Sequence, residues 1–174
     1  NQALAGKPAG LTVCTHMCRG NFRSSWMAEG GYDHVAEALF GELAVDGFFL
    51  EYDDSRSGGF APLRFVPKGP KKVVLGLVTT KRAALESKDE LKRRIDEAAK
   101  YVPLEQLCLS PQCGFSSTVD GNALSIEEEK AMKVLSRLML GLASTLFATC
   151  IATAARAQGV TLDAFYAQPS FARY

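Results

Sequence analysis

Short apolar runs alternate with amphipathic segments along the first 131 residues of the chain. Four runs are brief and rich in β-branched or aromatic residues, which is typical of buried strands; they cover residues 11–16, 46–52, 71–80 and 105–111. Apolar residues at helical spacing follow at 34–43 and 87–102, behind the N-cap candidates Asp33 and Ser87, and a third capped helix is predicted from Ser125. This alternation predicts parallel βα units. Four such units make half of a (β/α)₈ barrel or a small open sheet.

Polar or reactive side chains stand at the carboxyl end of each predicted strand. They are His16 and Cys18, Glu51, Thr79 and Thr80, and Cys113. The carboxyl ends of parallel strands meet at one edge of a sheet, and in a barrel this edge carries the functional residues. The pattern therefore predicts one functional face built from four strand ends.

Composition, charge and the lack of certain motifs argue against several classes of function. The 174 residues have a formal net charge of +1, so the chain lacks the broad basic field that would predict nucleic-acid binding. Neither a glycine-rich phosphate loop nor a Ser-His-Asp order is found. The five cysteines are unevenly spaced, which favours metal binding or catalysis in a cytoplasmic protein over a disulfide scaffold. Free cysteines that simply fill the core are the alternative.

Residues 132–157 have the features of a bacterial secretory signal peptide. Lys133 and Arg137 precede an uncharged apolar run, and Ala155-Arg156-Ala157 resembles a cleavage site. Because such signals act at an N-terminus, we expect a fusion or read-through, with residues 158–174 beginning an unrelated or disordered segment. A final apolar helix of the domain is the alternative, and no stable membrane role is expected because the run is near the lower limit for spanning.

The strand-end residues have the chemistry of zinc ligands, which are drawn from Cys, His and carboxylates. His16 and Cys18 are two residues apart and share one side of an extended chain, while Glu51 and Cys113 end the second and fourth strand regions. Cys14 could also reach such a site, although a core-filling role is favoured for it and for Cys108.

A family resemblance connects these residues. The stretches "THMCRGNF", "GFFLEYDDSRSGGF" and "CLSPQCGF" resemble the C-terminal catalytic domain of cobalamin-independent methionine synthase and its short stand-alone relatives, over roughly residues 10–131. The resemblance implies the C-terminal half of a (β/α)₈ barrel that binds Zn²⁺ through His16, Cys18 and Cys113. Glu51 would be the fourth ligand or the ligand that the thiol displaces. The implied reaction moves a methyl group from a methyltetrahydrofolate-type donor to homocysteine.

The polar loop after the second strand supplies substrate-binding candidates, which are Asp53, Ser55 and Arg56. Arg56 could bind a substrate carboxylate or pair with a neighbouring aspartate. The resemblance also implies a missing N-terminal half-barrel that helps to hold the amino acid and the folate, so we expect little methyl transfer by the chain alone. Two alternatives remain: a related zinc-dependent alkyl-thiol transferase or lyase with another thiol, and a non-enzymatic fusion carrying the start of an exported binding protein.

Overall fold

Four strands form one parallel sheet in the computed structural model, which describes residues 1–114, 123–128, 130 and 131. The strands are β1 (Cys14–Met17), β2 (Gly47–Glu51), β3 (Lys72–Val78) and β4 (Leu107–Pro111). Every neighbouring pair is parallel, and the spatial order β1-β2-β3-β4 is the order along the chain. The predicted α/β arrangement of four parallel strands is confirmed, and only β1 extends beyond its predicted range, by one residue.

The register gives the sheet two different faces, because successive side chains of a strand point to opposite sides. Leu50, Leu75 and Leu109 are register partners on one face, and all three are buried. They belong to a core cluster that the helical segments also enter. His16 and Phe49 are register partners on the other face, and both are exposed. The candidate ligand at the end of β1 therefore lies on the face opposite the leucine row.

The predicted helix caps at Ser87 and Ser125 are confirmed. Helix α1 (Lys88–Ala98) begins after Ser87, whose hydroxyl accepts the N–H of Glu90 at 3.1 Å. Ser125 and Glu128 form a reciprocal capping box, since the N–H of Glu128 reaches the Ser125 hydroxyl at 3.3 Å and the N–H of Ser125 reaches the Glu128 carboxylate at 2.7 Å. Both serines supply an acceptor to N–H groups that lack partners within the helix.

The first helical segment begins later than its sequence pattern predicts. It is a π-helix over Glu37–Glu42, so the prediction of Asp33 as its N-cap is wrong. The preceding turn is fixed by Tyr32, whose buried hydroxyl accepts the N–H of Glu51 at 2.9 Å and donates to the carbonyl of Met17 at 3.2 Å. Anchoring Tyr32 to β1 and β2 delays the helix and leaves Val35 exposed.

Short 3₁₀ helices complete the described structure, over Gln2–Leu4, Ser55–Ser57, Ala61–Phe65 and Leu104–Gln106. The segment Ala61–Phe65 lies between β2 and β3, where it buries Phe60 and Leu63 against the sheet. The rings of Phe60 and Tyr52 are 4.5 Å apart between centroids. Compact turns of this kind thus cover the sheet where the sequence predicts only a connection.

The signal-peptide-like segment 132–157 and residues 158–174 lie outside the described residues. Within the described ranges, none of the helices has the length and apolar character needed to span a bilayer.

Candidate metal centre

Three of the four predicted metal ligands meet at the carboxyl edge of the sheet. One ligand atom each from His16, Cys18 and Cys113 lies within 4.8 Å of the other two. The Sγ atoms of Cys18 and Cys113 are 3.0 Å apart, and Cys113 Sγ is 3.5 Å from His16 Nε2. β1 and β4 are the two edge strands of the sheet, so the sheet must curl for the loops that follow them to touch.

The donor set fits a zinc ion. Zinc in proteins binds imidazole nitrogen at about 2.0–2.1 Å and thiolate sulfur at about 2.3 Å, so in a tetrahedral site a sulfur and a nitrogen are about 3.5 Å apart and two sulfurs about 3.8 Å. The distance of 3.5 Å between Cys113 Sγ and His16 Nε2 agrees with this geometry, whereas the two sulfurs, which are 3.0 Å apart, must separate to bind one ion. Three protein ligands leave the fourth position for a substrate or a further ligand, which is the arrangement of catalytic rather than structural zinc sites.

The protonation of Cys113 depends on its surroundings. Burial raises the pKa of the Cys113 thiol above its ordinary value, and the adjacent Cys18 thiol raises it further. Cys18 itself is exposed and accepts the N–H of Gly20 at 3.1 Å. A thiolate at Cys113 therefore requires added positive charge, which a metal ion at this position would provide.

Glu51, the fourth predicted ligand, does not belong to this group. One carboxylate oxygen accepts the N–H of Arg19 at 2.6 Å, and the other accepts hydrogen bonds from Arg56 and, at 3.3 Å, from Lys81. Burial alone would raise the pKa of Glu51, but the Arg19 N–H and the charges of Lys81 and Arg56 hold it below its usual value. Glu51 is thus an ionised carboxylate that is bonded to Arg19, the residue directly after Cys18. Its role as a metal ligand stays a prediction.

The predicted substrate-binding residues have different surroundings. Arg56 pairs with Asp53 at 3.2 Å and with Asp54 at 3.0 Å, in addition to Glu51. Asp53 also accepts the hydroxyl of Thr79 at 2.9 Å, whereas Ser55 is exposed at the surface. The Nη1 atom of Arg56 is buried and has no hydrogen-bond partner among the described residues. Arg56 therefore pairs with aspartate and still has one donor group available, so its role toward substrate stays a prediction.

The two remaining cysteines of the described strands differ in burial. Cys108 is buried in β4, as predicted. Cys14 is exposed, so the expectation that it fills the core is wrong. Cys14 also lies outside the ligand group.

Three residues at this edge were missed by sequence reasoning. They are Arg19, Lys81 and Gln112, and each directly follows or precedes a residue that the strand-end pattern singles out. The side chains of Arg19 and Lys81 are 9% and 8% exposed, which is unusual for basic residues and marks them as partners of the buried carboxylates. Their adjacency to Cys18 and Thr80 was the signal available in the sequence.

Comparisons with known proteins identify relatives in sequence and in structure. The protein YxjG of Bacillus subtilis (strain 168), which is called uncharacterized, is 60% identical over 131 residues, covering 75% of this chain and 35% of its own length. A Listeria monocytogenes protein provisionally named a vitamin-B12 independent methionine synthase has a solved structure that superposes with a TM-score of 0.61 at 42% identity, covering 80% of this chain and 37% of that one. A B12-independent methionine synthase from Shewanella sp. W3-18-1, solved in complex with selenomethionine, gives a TM-score of 0.58 at 19% identity, over 81% and 42% of the two chains, which shows the fold.

The chain spans about a third of the length of the curated relatives it matches. The structural matches confirm the predicted fold, half of a (β/α)₈ barrel. A family model described as cobalamin-independent synthase, catalytic domain, matches residues 5–132, which include all four predicted ligands. The chain therefore belongs to the family of the cobalamin-independent synthase catalytic domain.

Proposed function

We propose that this chain carries the zinc-binding part of an enzyme that transfers a methyl group from a methyltetrahydrofolate-type donor to the thiol of homocysteine. The observation that carries the proposal is the meeting of His16, Cys18 and Cys113 at an open edge of the sheet. Membership of the synthase family supports transfer to a thiol. Because thiol ligands must stay reduced, the proposal places the enzyme in the cytoplasm.

The chemistry required is the activation of a thiol. A free thiol has a pKa of about 8.5 and is mostly protonated at neutral pH, although the thiolate is the nucleophile. Bound zinc would supply the positive charge that favours the thiolate at the fourth position. His16, Cys18 and Cys113 would hold the ion. Since His16 and Cys18 are exposed, a substrate sulfur can approach without displacing the sheet.

In this proposal, Glu51 would contribute to binding the metal and Arg56 to binding the substrate. Glu51 is the candidate for the fourth ligand or for the ligand that a thiol displaces, because its carboxylate is already bonded to the N–H that follows Cys18. Arg56 Nη1, which has no hydrogen-bond partner in the described part of the chain, is the candidate donor to a substrate carboxylate. Asp53 keeps Arg56 in place through its ion pair.

The donor side of the reaction would depend on parts of the relatives that this chain does not span. We expect the chain alone to bind a thiol but to form little methylated product, because a bound thiol without an oriented donor loses the rate advantage of proximity. Rapid turnover by the purified chain with homocysteine and a methyl donor would contradict this part of the proposal.

Thiol binding is tested with Co²⁺ in place of zinc, since cobalt–sulfur absorption reports each thiolate bound. Homocysteine should strengthen the sulfur-to-cobalt band of the full chain, and homoserine, which has a hydroxyl in place of the thiol, should not. Failure of homocysteine to change the spectrum would overturn the proposal. A response to another thiol in its place would favour a related alkyl-thiol transferase or lyase.

A further inference from the structure

Gln112 is a buried amide directly before the candidate ligand Cys113. Its side chain is among the largest fully buried ones, and its Nε2 donates to Cys113 Sγ at 3.0 Å. Its backbone N–H donates to the carbonyl of Val78 at 2.7 Å, which ties the residue to the end of β3. Both the backbone and the side chain of Gln112 are therefore held at the metal centre.

A hydrogen-bond chain across three strand ends sets the orientation of the amide. Thr80 donates its hydroxyl to Gln112 Oε1 at 3.2 Å, and Asn21 Nδ2 donates to the Thr80 hydroxyl oxygen at 3.2 Å. Asn21 Nδ2 also donates to the carbonyl of Gly114 at 3.2 Å, on the other side of Cys113. With the Thr80 hydroxyl donating to Oε1, the NH₂ group of Gln112 faces the Cys113 sulfur.

Close packing leaves Gln112 little freedom to move. A Cβ placed on Gly76 would lie 2.9 Å from Gln112 Cα and 2.7 Å from the carbonyl oxygen of Leu50. Only a glycine in β3 permits this approach of the two backbones. The amide is thus preorganised by backbone contact as well as by hydrogen bonds.

We propose that Gln112 is a positioning residue for the metal ligand Cys113. Its N–H holds Sγ toward His16 and Cys18 and withdraws charge from the thiolate, as partners of metal ligands generally do. Gln112 does not itself touch the metal or the substrate. This inference rests on the proposed function, because it requires that Cys113 binds the metal.

The test compares two buried amides that flank the same strand. Gln112→Leu removes the N–H donor, and Gln112→Glu keeps the shape but replaces the donor with an acceptor. Gln106→Leu is the matched control, because Gln106 is equally buried before β4 and bonds only backbone groups there, donating to Pro67 and Lys71 and accepting from Gly69. Thr80→Val leaves Gln112 in place and removes the group that orients it.

Affinity and absorption of the Co²⁺ complex of the full chain are the two measurements. Both Gln112 variants should bind Co²⁺ roughly 10–100-fold more weakly in competition with a chelator. Gln112→Leu should also move the sulfur-to-cobalt band to longer wavelength, because the lone pair of Cys113 Sγ loses the N–H that stabilises it. Thr80→Val should lower the Co²⁺ affinity and move the band in the same directions, by smaller amounts. Gln106→Leu should lower stability and leave the spectrum unchanged.

The outcomes separate this inference from the proposed function. Wild-type affinity and an unshifted band in both Gln112→Leu and Thr80→Val would overturn the positioning role while the metal centre stands. A wild-type chain that binds no metal would overturn both. If Gln106→Leu shifts the band as much as Gln112→Leu does, the effect is one of general stability, and the positioning role is wrong.

Discussion

At the scale of single residues, buried charge pairs organise the carboxyl edge of the sheet beside the candidate metal centre. Glu51 and Asp53 have fully buried side chains, and Arg56, with 6% of its side chain exposed, contacts both carboxylates. Removing one partner of a buried pair leaves an uncompensated charge, which costs far more than the pair contributes. Arg56 is therefore expected to be important for stability as well as for substrate.

Replacement of Arg56 by methionine should lower the free energy of unfolding by about 3 kcal/mol, near the lower end for a broken buried pair because Lys81 still contacts both carboxylates. Urea unfolding measures the difference. Arg93→Met is the matched control, since Arg93 is exposed on α1 and paired with Glu90, and it should unfold like the wild type. Equal midpoints for Arg56→Met and the wild type would show that the cluster does not support the fold.

The candidate ligands that lie close together could be singled out from the sequence, but the partners of the nearby carboxylates could not. His16, Cys18 and Cys113 are rare residue types at strand ends, so type and position together were informative. Arg19 and Lys81 are common types whose importance comes from contacts with Glu51, which is 32 and 30 residues away in the chain. Adjacency to Cys18 and Thr80 marks the positions of Arg19 and Lys81, but no local pattern specifies that they pair with Glu51.

At the scale of elements, strands were more predictable than the segments between them. Short apolar runs identify β2, β3 and β4 because these strands are buried. The π-helix at Glu37–Glu42 begins late because Tyr32 is anchored to β1 and β2, a tertiary contact that overrides the periodicity. The 3₁₀ helix Ala61–Phe65 likewise depends on packing of Phe60 and Leu63.

Gly76→Ala tests how closely β3 approaches its neighbours. The added methyl group would meet backbone atoms of Leu50 and Gln112 below 3.0 Å, so the strands must shift, at a cost of about 1–3 kcal/mol. Gly41→Ala is the control, because nothing lies within 4 Å of its Cβ position in the π-helix, and it should be neutral or stabilising by about 0.5–1 kcal/mol. Thermal unfolding distinguishes them, and equal stability of the two variants would contradict the close approach.

At the scale of the whole molecule, one carboxylate at the opposite end of the sheet bonds the lead-in segment. Asp46, just before β2, bonds the side chain of Lys7 and the N–H of Val13. These bonds lower the pKa of Asp46, the Lys7 contact most strongly. The lead-in segment is thus fastened to the sheet by a carboxylate that must be ionised.

The stability of the chain should therefore depend on pH through Asp46. Because its folded pKa is lowered, its contribution is present above the unfolded value of about 3.9 and is lost as the pH falls through the folded value. Asp46→Asn should be less stable than the wild type at pH 7, and the difference should shrink as the pH falls below the unfolded value and through the folded one. Urea midpoints measured across this range check the sign, and a difference that grows on acidification would contradict it.

The central claim is that His16, Cys18 and Cys113 form a metal centre with a position open to a thiol. X-ray absorption at the zinc edge of the full chain measures it most directly. The account predicts two sulfur ligands and one imidazole, a third sulfur when homocysteine is added, and loss of the site in Cys18→Ser and Cys113→Ser but not in Cys14→Ser. A chain without zinc, or a sulfur count that the Cys18 and Cys113 substitutions leave unchanged, would contradict it.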